Sequence, residues 1–215
     1  MKGNLHIALD GPAASGKTDT GKLLAEELGI LFLDTGLMYR AMTYYFINSK
    51  LDDNNLDLIN KDIFQDINIE ISNSQNVILN NIDISKIIFS DDVNNKVSIY
   101  AGIQSIRENL VKKQQLIAED NDIVMVGRDI GTVVLPDAQF KFFLDCSLNT
   151  RAIRRMNQDD KKKFTNEKDK LNNRDLLDKN REISPLIPSD DAVTVFNDHI
   201  NLHETVKLIK NIVLN

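Results

Sequence analysis

Short apolar runs of strand length recur along the chain, and longer stretches with helical spacing separate them. The runs are Leu5-His6-Ile7-Ala8-Leu9, Ile30-Leu31-Phe32-Leu33, Ile123-Val124-Met125-Val126, Phe140 to Leu144 and Ala192 to Phe196. After the first, Leu23, Leu24 and Leu28 repeat at helical spacing up to Gly29, a suitable helix C-cap. After the second, Asp34-Thr35-Gly36 reads as a turn, and Leu37 to Met42 starts a helix that continues to Phe46 and Ile47. Ser90 to Ala118 reads as helical, either as one helix or as two with a break near Ser98–Gly102. Arg151-Ala152-Ile153-Arg154-Arg155 opens another helix. Glu204 to Leu214 closes the chain, with Val206, Ile209, Ile212 and Val213 on its apolar side. Five buried strands alternating with helices predict an α/β fold with a doubly wound parallel five-stranded sheet.

Two stretches break this rhythm. Asp66 to Ser72 alternates polar and apolar residues strictly, the period of a half-exposed strand. A turn at Asn73–Asn76, a strand at Val77–Leu79, a turn at Asn80-Asn81 and a strand at Ile82–Ile84 follow, after a polar, turn-like stretch at Asp52–Asn55. This predicts a small antiparallel insert lobe. Asp159 to Lys170 is densely charged, with Phe164 as its one apolar anchor. It reads either as a solvated helical surface or as a lid. The expected organisation is a core of residues 1–58, 101–150 and 175–215, an insert lobe over 59–100 and a helical lid over 151–174. There is no internal repeat.

The chemistry begins at Gly11-Pro12-Ala13-Ala14-Ser15-Gly16-Lys17-Thr18, a complete G-x-x-x-x-G-K-[ST] phosphate loop. Strand before and helix after are the context the motif requires. Its N–H groups form a nest for an anion, and the helix N-terminus adds partial positive charge. All eight residues are expected around ATP, with Lys17 on the β- and γ-phosphates and the Thr18 hydroxyl on Mg²⁺. A nucleotide switch of the GTPase kind would also need D-x-x-G and N-K-x-D segments. Neither occurs, since Asn166-Glu167-Lys168-Asp169 has the wrong order.

Composition narrows the picture. The chain has 215 residues, 42% hydrophobic and 27% charged, with a net charge of −6. That acidic balance speaks against general nucleic-acid binding. No run approaches the roughly 18 apolar residues of a membrane span. Lys2 leads directly into a strand rather than a cleavable signal, and the lone Cys146 cannot pair within the chain. A cytoplasmic protein is expected. Positive charge comes mostly from Lys, and the eight arginines are Arg40, Arg107, Arg128, Arg151, Arg154, Arg155, Arg174 and Arg181. Arg is suited to bidentate phosphate contacts and planar base contacts that Lys cannot make. Gly127-Arg128-Asp129 lies at a strand's C-terminal end, where open α/β sheets bind ligands. The pattern favours a small kinase, with a second anion site and a cover against water.

Four segments carry a resemblance. Asp34-Thr35-Gly36 ahead of Tyr39-Arg40, Gly127-Arg128-Asp129 ahead of Gly131-Thr132, Arg151-Ala152 ahead of Arg154-Arg155, and Arg174-Asp175 ahead of Asp178, Asn180 and Arg181 together resemble the bacterial cytidylate kinases. The likeness covers nearly the whole chain, and the insert matches one that this family carries in its monophosphate lobe. It implies transfer of the γ-phosphoryl of ATP to CMP or dCMP, with Mg²⁺. It places Arg40, Arg128 and Arg181 on the acceptor phosphate and the transferring group, and Arg151 and Arg155 on ATP from the lid. Thr35, Arg107 and Asp129 would contact cytosine. Ser98, Arg174 and Asp178 would surround the sugar, with Tyr39 and Gly127 close to the acceptor. Lys17, Arg128, Arg181, Arg151 and Arg155 would be the catalytic set.

The chain departs from the family at Leu177 and Phe89, where arginines are common, and at Thr35, where Ser is frequent. His6, His199 and His203 are too scattered for a site. No base or metal cluster is legible, and none is needed to ionise a phosphate acceptor. Other acceptors, UMP or AMP, and a binding module without turnover remain as alternatives. A monomer is the default.

Overall fold

The computed structural model describes residues 3–49, 61–72, 74–157 and 164–215. The turn-like stretch expected at 52–55, Asn73 of the insert's first turn and residues 158–163 of the charged segment lie outside them.

Strand β1 (His6–Asp10) leads through the phosphate loop into helix α1 (Lys17–Leu28), which ends on Gly29 as its spacing predicts. Strand β2 (Leu31–Asp34) runs straight into helix α2 (Thr35–Asn48). The expected turn at 34–36 is instead the helix's first turn. The Asp34 carboxylate accepts from the Gly36 N–H at 2.9 Å and caps it.

The insert follows. Its strands β3 (Ile69–Ile71), β4 (Val77–Leu79) and β5 (Ile82–Asp83) pair antiparallel, with Ile69 opposite Leu79 and Ile71 opposite Val77. A 3-10 turn (Lys61–Asp66) occupies the start of the alternating run, so β3 is shorter than the alternation suggests. Helices α3 (Asp91–Tyr100) and α4 (Gln104–Glu119) realise the two-helix reading of 90–118.

Strand β6 (Ile123–Gly127) opens into a π-turn (Ile130–Val134), and β7 (Phe140–Asp145) follows. Helix α5 (Leu148–Met156) starts three residues before Arg151 because Ser147 caps it through the Thr150 N–H. Helix α6 (Phe164–Asn180) runs across residue 174. Strand β8 (Val193–Phe196) and helix α7 (Leu202–Leu214) complete the chain. A capping box between Asn201 and Glu204 starts α7 two residues earlier than the apolar pattern does.

The main sheet has the order β2-β6-β1-β7-β8, and every pairing in it is parallel. Alternation along the strands feeds two cores. Ile7, Leu9, Val124 and Val126 face Leu24 of α1 and Val206 and Ile209 of α7. Ala8, Leu33, Ile123 and Met125 face the other side, with α2, α4 and the insert. There Phe46 stacks on Tyr100 at 5.9 Å and meets the edge of Phe64 at 6.2 Å. This aromatic group ties the insert and α3 to the sheet. A third cluster joins Ala13 of the phosphate loop to Ala152 and Leu171, with Leu148 and Phe164 against it. Helices α5 and α6 are thereby packed on the loop itself. Among the described residues no helix is long and apolar enough to cross a membrane.

Phe46 is fully buried, so Phe46→Ala is expected to cost about 3–5 kcal/mol. That should lower the melting temperature by roughly 10 °C or more. A thermal melt followed by circular dichroism checks it, and a loss of less than a degree or two would remove Phe46 from the keystone of this layer.

Candidate active site

The phosphate loop is held from below. A Cβ on Gly11 would lie 2.2 Å from the Leu144 carbonyl oxygen, and its φ is +154°. Only glycine lets β1 turn into the loop this close to β7. One residue earlier, Asp10 is buried and accepts from the N–H groups of Ile130 and Gly131 at 2.9 and 2.8 Å. This bonds the loop's base to the segment carrying Arg128 and Asp129. Burial pushes Asp10 up to about 6, against the pull of those two N–H groups.

Lys17 is buried, and its Nζ donates to the Pro12 carbonyl at 3.0 Å. Burial, then the charge of Arg128, pulls its pKa well below the ordinary lysine value. The Thr18 hydroxyl donates to Asp34 Oδ2 at 2.8 Å. Two oxygens from α1 and β2 therefore stand together at the loop mouth. Among the described residues no group of three or more His, Cys, Asp or Glu could hold a metal.

The arginines of α5 divide. Arg151 faces the fold, not the cavity. It is ion-paired to Asp175 at 2.6 Å and donates to the carbonyls of Ala13 and Cys146 at 3.2 and 3.3 Å. Arg154 grips the loop instead. Its Nη1 donates to Ser15 O at 3.0 Å and Asn197 Oδ1 at 3.1 Å, and its Nη2 to Asn197 O at 2.7 Å. The Asn197 amide adds its own bond to Ser15 O. Arg155 faces the cavity, 3.9 Å from Glu167.

At the other end four arginines converge: Arg40 from α2, Arg128 from the end of β6, and Arg174 and Arg181 from α6 and its exit. Arg128 donates to Asp178 at 2.9 Å and to Gly127 O at 3.2 Å. Burial alone would raise Asp178, but the charges of Arg128, Arg174 and Arg181 overcome it and hold the carboxyl below its usual range. Burial, then Arg128, brings Arg174 down to about 10, and its Nε has no hydrogen-bond partner among the described residues. Burial also lowers Arg181.

Asp129 does not brace Arg128. It pairs with Arg107 and lies 3.8 Å from Arg181. Arg107 also donates to Ser184 Oγ and Ala101 O, and its guanidinium lies 5.4 Å over the Tyr39 ring. Burial pushes the Tyr39 hydroxyl up to about 12. The Thr35 hydroxyl donates to Val126 O at 3.0 Å, so its lone pairs are what it offers a ligand. A Cβ on Gly127 would sit 2.8 Å from Thr35 Oγ1, so this approach also needs glycine.

A cavity of about 1040 Å³ joins the two ends, large enough for two ligands. Lys17, Thr18, Asp34, Arg40, Ser98 and the Arg107–Asp129 pair line it, together with Arg128, Arg174, Asp178 and Arg181. Gly11, Pro12, Ser15 and Arg151 lie behind the lining. The residues missed by sequence reasoning are Asp10, Asp34, Asn94, Arg154 and Asn197. Asp34 and Arg154 stand inside quoted motifs and could have been found there. Asp10 and Asn197 carry no local signal and act through distant partners, and Asn94 joins distant Arg40 to nearby Phe89.

The cytidylate kinase family model matches residues 7–215. A cytidylate kinase of Oceanobacillus iheyensis is 41% identical, over 98% of this chain and 94% of that protein. Cytidylate kinases of Bacillus cereus and Bacillus anthracis are 40% identical, over 99% and 100% of this chain and 97% and 98% of theirs. The chain belongs to the cytidylate kinase family. Two solved structures share the fold at low identity. An uncharacterised protein of Eubacterium ventriosum has TM-score 0.55 at 13% identity, covering 98% of both chains. Shikimate kinase of Bacteroides thetaiotaomicron has TM-score 0.51 at 14% identity, covering 98% of this chain and 99% of that one. Within this family member, Leu177 and Phe89 both line the cavity and are half exposed, 48% and 51%.

Arg154→Ala removes the side chain that fastens the phosphate loop to the end of β8. The expected effect is a loss of about 1–3 kcal/mol in local loop stability. Amide exchange at residues 13–18 should quicken correspondingly while exchange in β6 stays unchanged. Equal quickening in both would mean that Arg154 supports the whole fold rather than the loop.

Proposed function

We propose that this protein transfers the γ-phosphoryl of ATP to CMP or dCMP, giving ADP with CDP or dCDP. One observation carries the reading. A single cavity joins the phosphate loop to four convergent arginines and to a buried Arg–Asp pair of base-reading character. An oxygen of the acceptor phosphate attacks the γ-phosphorus, the bond to the β-phosphate oxygen breaks, and ADP leaves with that electron pair. No base is required, because the attacking oxygen is already ionised. Catalysis is then positioning and charge neutralisation.

Lys17 and the loop N–H groups hold the ATP phosphates. Arg40, Arg128 and Arg181 hold the acceptor phosphate and the moving charge, and Arg155 meets ATP from α5. Arg151 acts from behind, keeping α5 and α6 on the loop through Ala13 and Asp175. Ser98, Arg174 and Asp178 surround the sugar. Thr18 and Asp34 supply the hard oxygen donors that Mg²⁺ prefers. Thr18 and Asp34 would hold the ion there when ATP binds, and it would supply neutralising positive charge beside the phosphates. Residues 151–174 are read as a lid that excludes water, and the protein as a cytoplasmic monomer. ADP release measured with CMP, dCMP, UMP and AMP in turn tests the assignment. Release best with AMP would move it to a neighbouring monophosphate kinase, and no acceptor-dependent release would leave a binding module.

Lys17→Ala is expected to cut turnover by about 10²–10³, the usual effect of losing one preorganised charge contact in the transition state. Its melt should stay close to wild type. Turnover within a few-fold of wild type would show that the loop is not the ATP site.

Base choice falls to Asp129, Arg107 and Thr35. Cytosine offers an N4 amino donor beside acceptors, and uracil reverses the first two groups of that edge. Asp129 can only accept, the Thr35 oxygen accepts because its proton goes to Val126, and Arg107 can only donate. Asp129→Ala should narrow the preference for CMP over UMP by about 1–3 kcal/mol, the worth of one base-edge contact. If Asp129 only supports Arg107 and Arg181, both substrates slow alike. The ratio of kcat/KM values decides between them.

A further inference from the structure

Phe89 leaves half its ring exposed at the cavity rim, yet the ring is not idle. The Arg40 guanidinium carbon lies 4.9 Å from its centroid. Arg40 is itself buried and is held along one edge only. Its Nη1 donates to Ile88 O at 3.0 Å and to Asn94 Oδ1 at 2.8 Å. The Asn94 Nδ2 donates in turn to Phe89 O at 2.7 Å. The 3-10 turn Ile87–Phe89 and the first turn of α3 thus form a bracket. Two acceptors grip one edge of the guanidinium, and an aromatic ring covers its face. Neither Nη2 nor Nε has a hydrogen-bond partner among the described residues, which leaves that edge for a ligand.

The bracket answers a difficulty in this corner of the cavity. Arg174, Arg155 and Arg128 act on Arg40 as like charges, and the Asp34 carboxylate offsets them only in part. A long side chain among them would swing away unless something held it. Burial, then those charges, already brings Arg40 down to about 9. The negative face of an aromatic ring attracts a cation without offering it a neutralising carboxylate. A carboxylate in that place would repel an incoming phosphate. A ring steadies the charge and leaves it to the ligand.

We propose that Phe89 is a positioning residue for the acceptor phosphate, holding the Arg40 guanidinium toward the cavity by its ring face. The proposal rests on the reading above that the acceptor phosphate binds at Arg40.

The test separates a ring from a mere apolar cover. Phe89→Leu keeps the bulk and the half-exposed site, so the fold should melt as wild type does. Its KM for CMP should rise roughly three- to tenfold, with KM for ATP and kcat each within about twofold. Phe89→Tyr and Phe89→Trp, which restore a ring face, should return KM to near the wild-type value. In an Arg40→Gln background the Phe89→Leu effect should vanish, because no cation is left to hold. Inorganic phosphate titrated calorimetrically against the same variants reads the Arg40 site without turnover, and its Kd should follow the ring in the same direction. Phe89→Leu equal to wild type in both KM for CMP and phosphate Kd overturns the proposal. So does an undiminished effect in the Arg40→Gln background, or an equal rise in both substrates' KM. If the wild type fails to turn over CMP while phosphate Kd still follows the ring, the acceptor reading fails and the proposal is overturned for CMP, leaving only that the ring holds Arg40 for a phosphate.

Discussion

The structure depends on holding several positive charges together around one cavity. Lys17, Arg40, Arg128, Arg174 and Arg181 all line it. Like charges gathered in a partly buried site repel one another more strongly than they would in water. The fold meets this repulsion with carboxylates paired to arginines in and behind the cavity wall. Asp178 pairs with Arg128, Asp129 with Arg107, and Asp175 with Arg151. Each pair joins elements distant in the chain, so the charge pattern and the tertiary fold require one another. The compensation is partial. Arg40 and Arg174 keep lowered pKa values, and Arg174 Nε and Arg181 Nη2 remain buried without hydrogen-bond partners among the described residues. That residue of uncompensated charge is what an anionic ligand neutralises, and it is the same charge that a phosphoryl-transfer transition state requires.

The phosphate loop is suspended from this framework. Its base is bonded to the Arg128 segment through Asp10, its flank to β8 through Arg154 and Asn197, and its outer face to α5 and α6 through Ala13. Donor and acceptor ends are therefore bonded to one another through the loop. Asp10 links residues 120 and 121 positions apart, directly from the root of the loop to the turn beyond Asp129. Such fixed placement is the main catalytic resource of an enzyme that supplies no nucleophile of its own.

The departures from the family pattern gain a meaning from their surroundings. Phe89, where the resemblance implies an arginine, sets an aromatic ring 4.9 Å from the Arg40 guanidinium carbon instead of adding another charge. Leu177 stands on α6 one residue before Asp178, half exposed at the cavity wall. It contributes no charge there, and the positive charge along this wall comes from Arg128, Arg174 and Arg181. Thr35 keeps the hydroxyl, and the hydrogen bond to Val126 gives that hydroxyl a definite polarity.

Much of this was legible in the sequence because it is local. Period-two and period-3.6 patterns reflect which face of a segment is buried, so the five strands, the antiparallel insert and the helices could be placed from them. The phosphate loop is a contiguous motif whose backbone chemistry lies within eight residues. The helix starts at Thr35, Leu148 and Leu202 were misplaced by two or three residues, because capping by Asp34, Ser147 and Asn201 is not a hydrophobic signal. Partner choice was beyond the sequence altogether. That Asp129 meets Arg107 rather than its neighbour Arg128, that Arg151 turns inward while Arg154 grips the loop, and that Phe89 lies under Arg40 were decided only when distant elements packed. An ion pair or ring contact depends on distances between side chains remote along the chain, and no pattern of residue types within one segment encodes those.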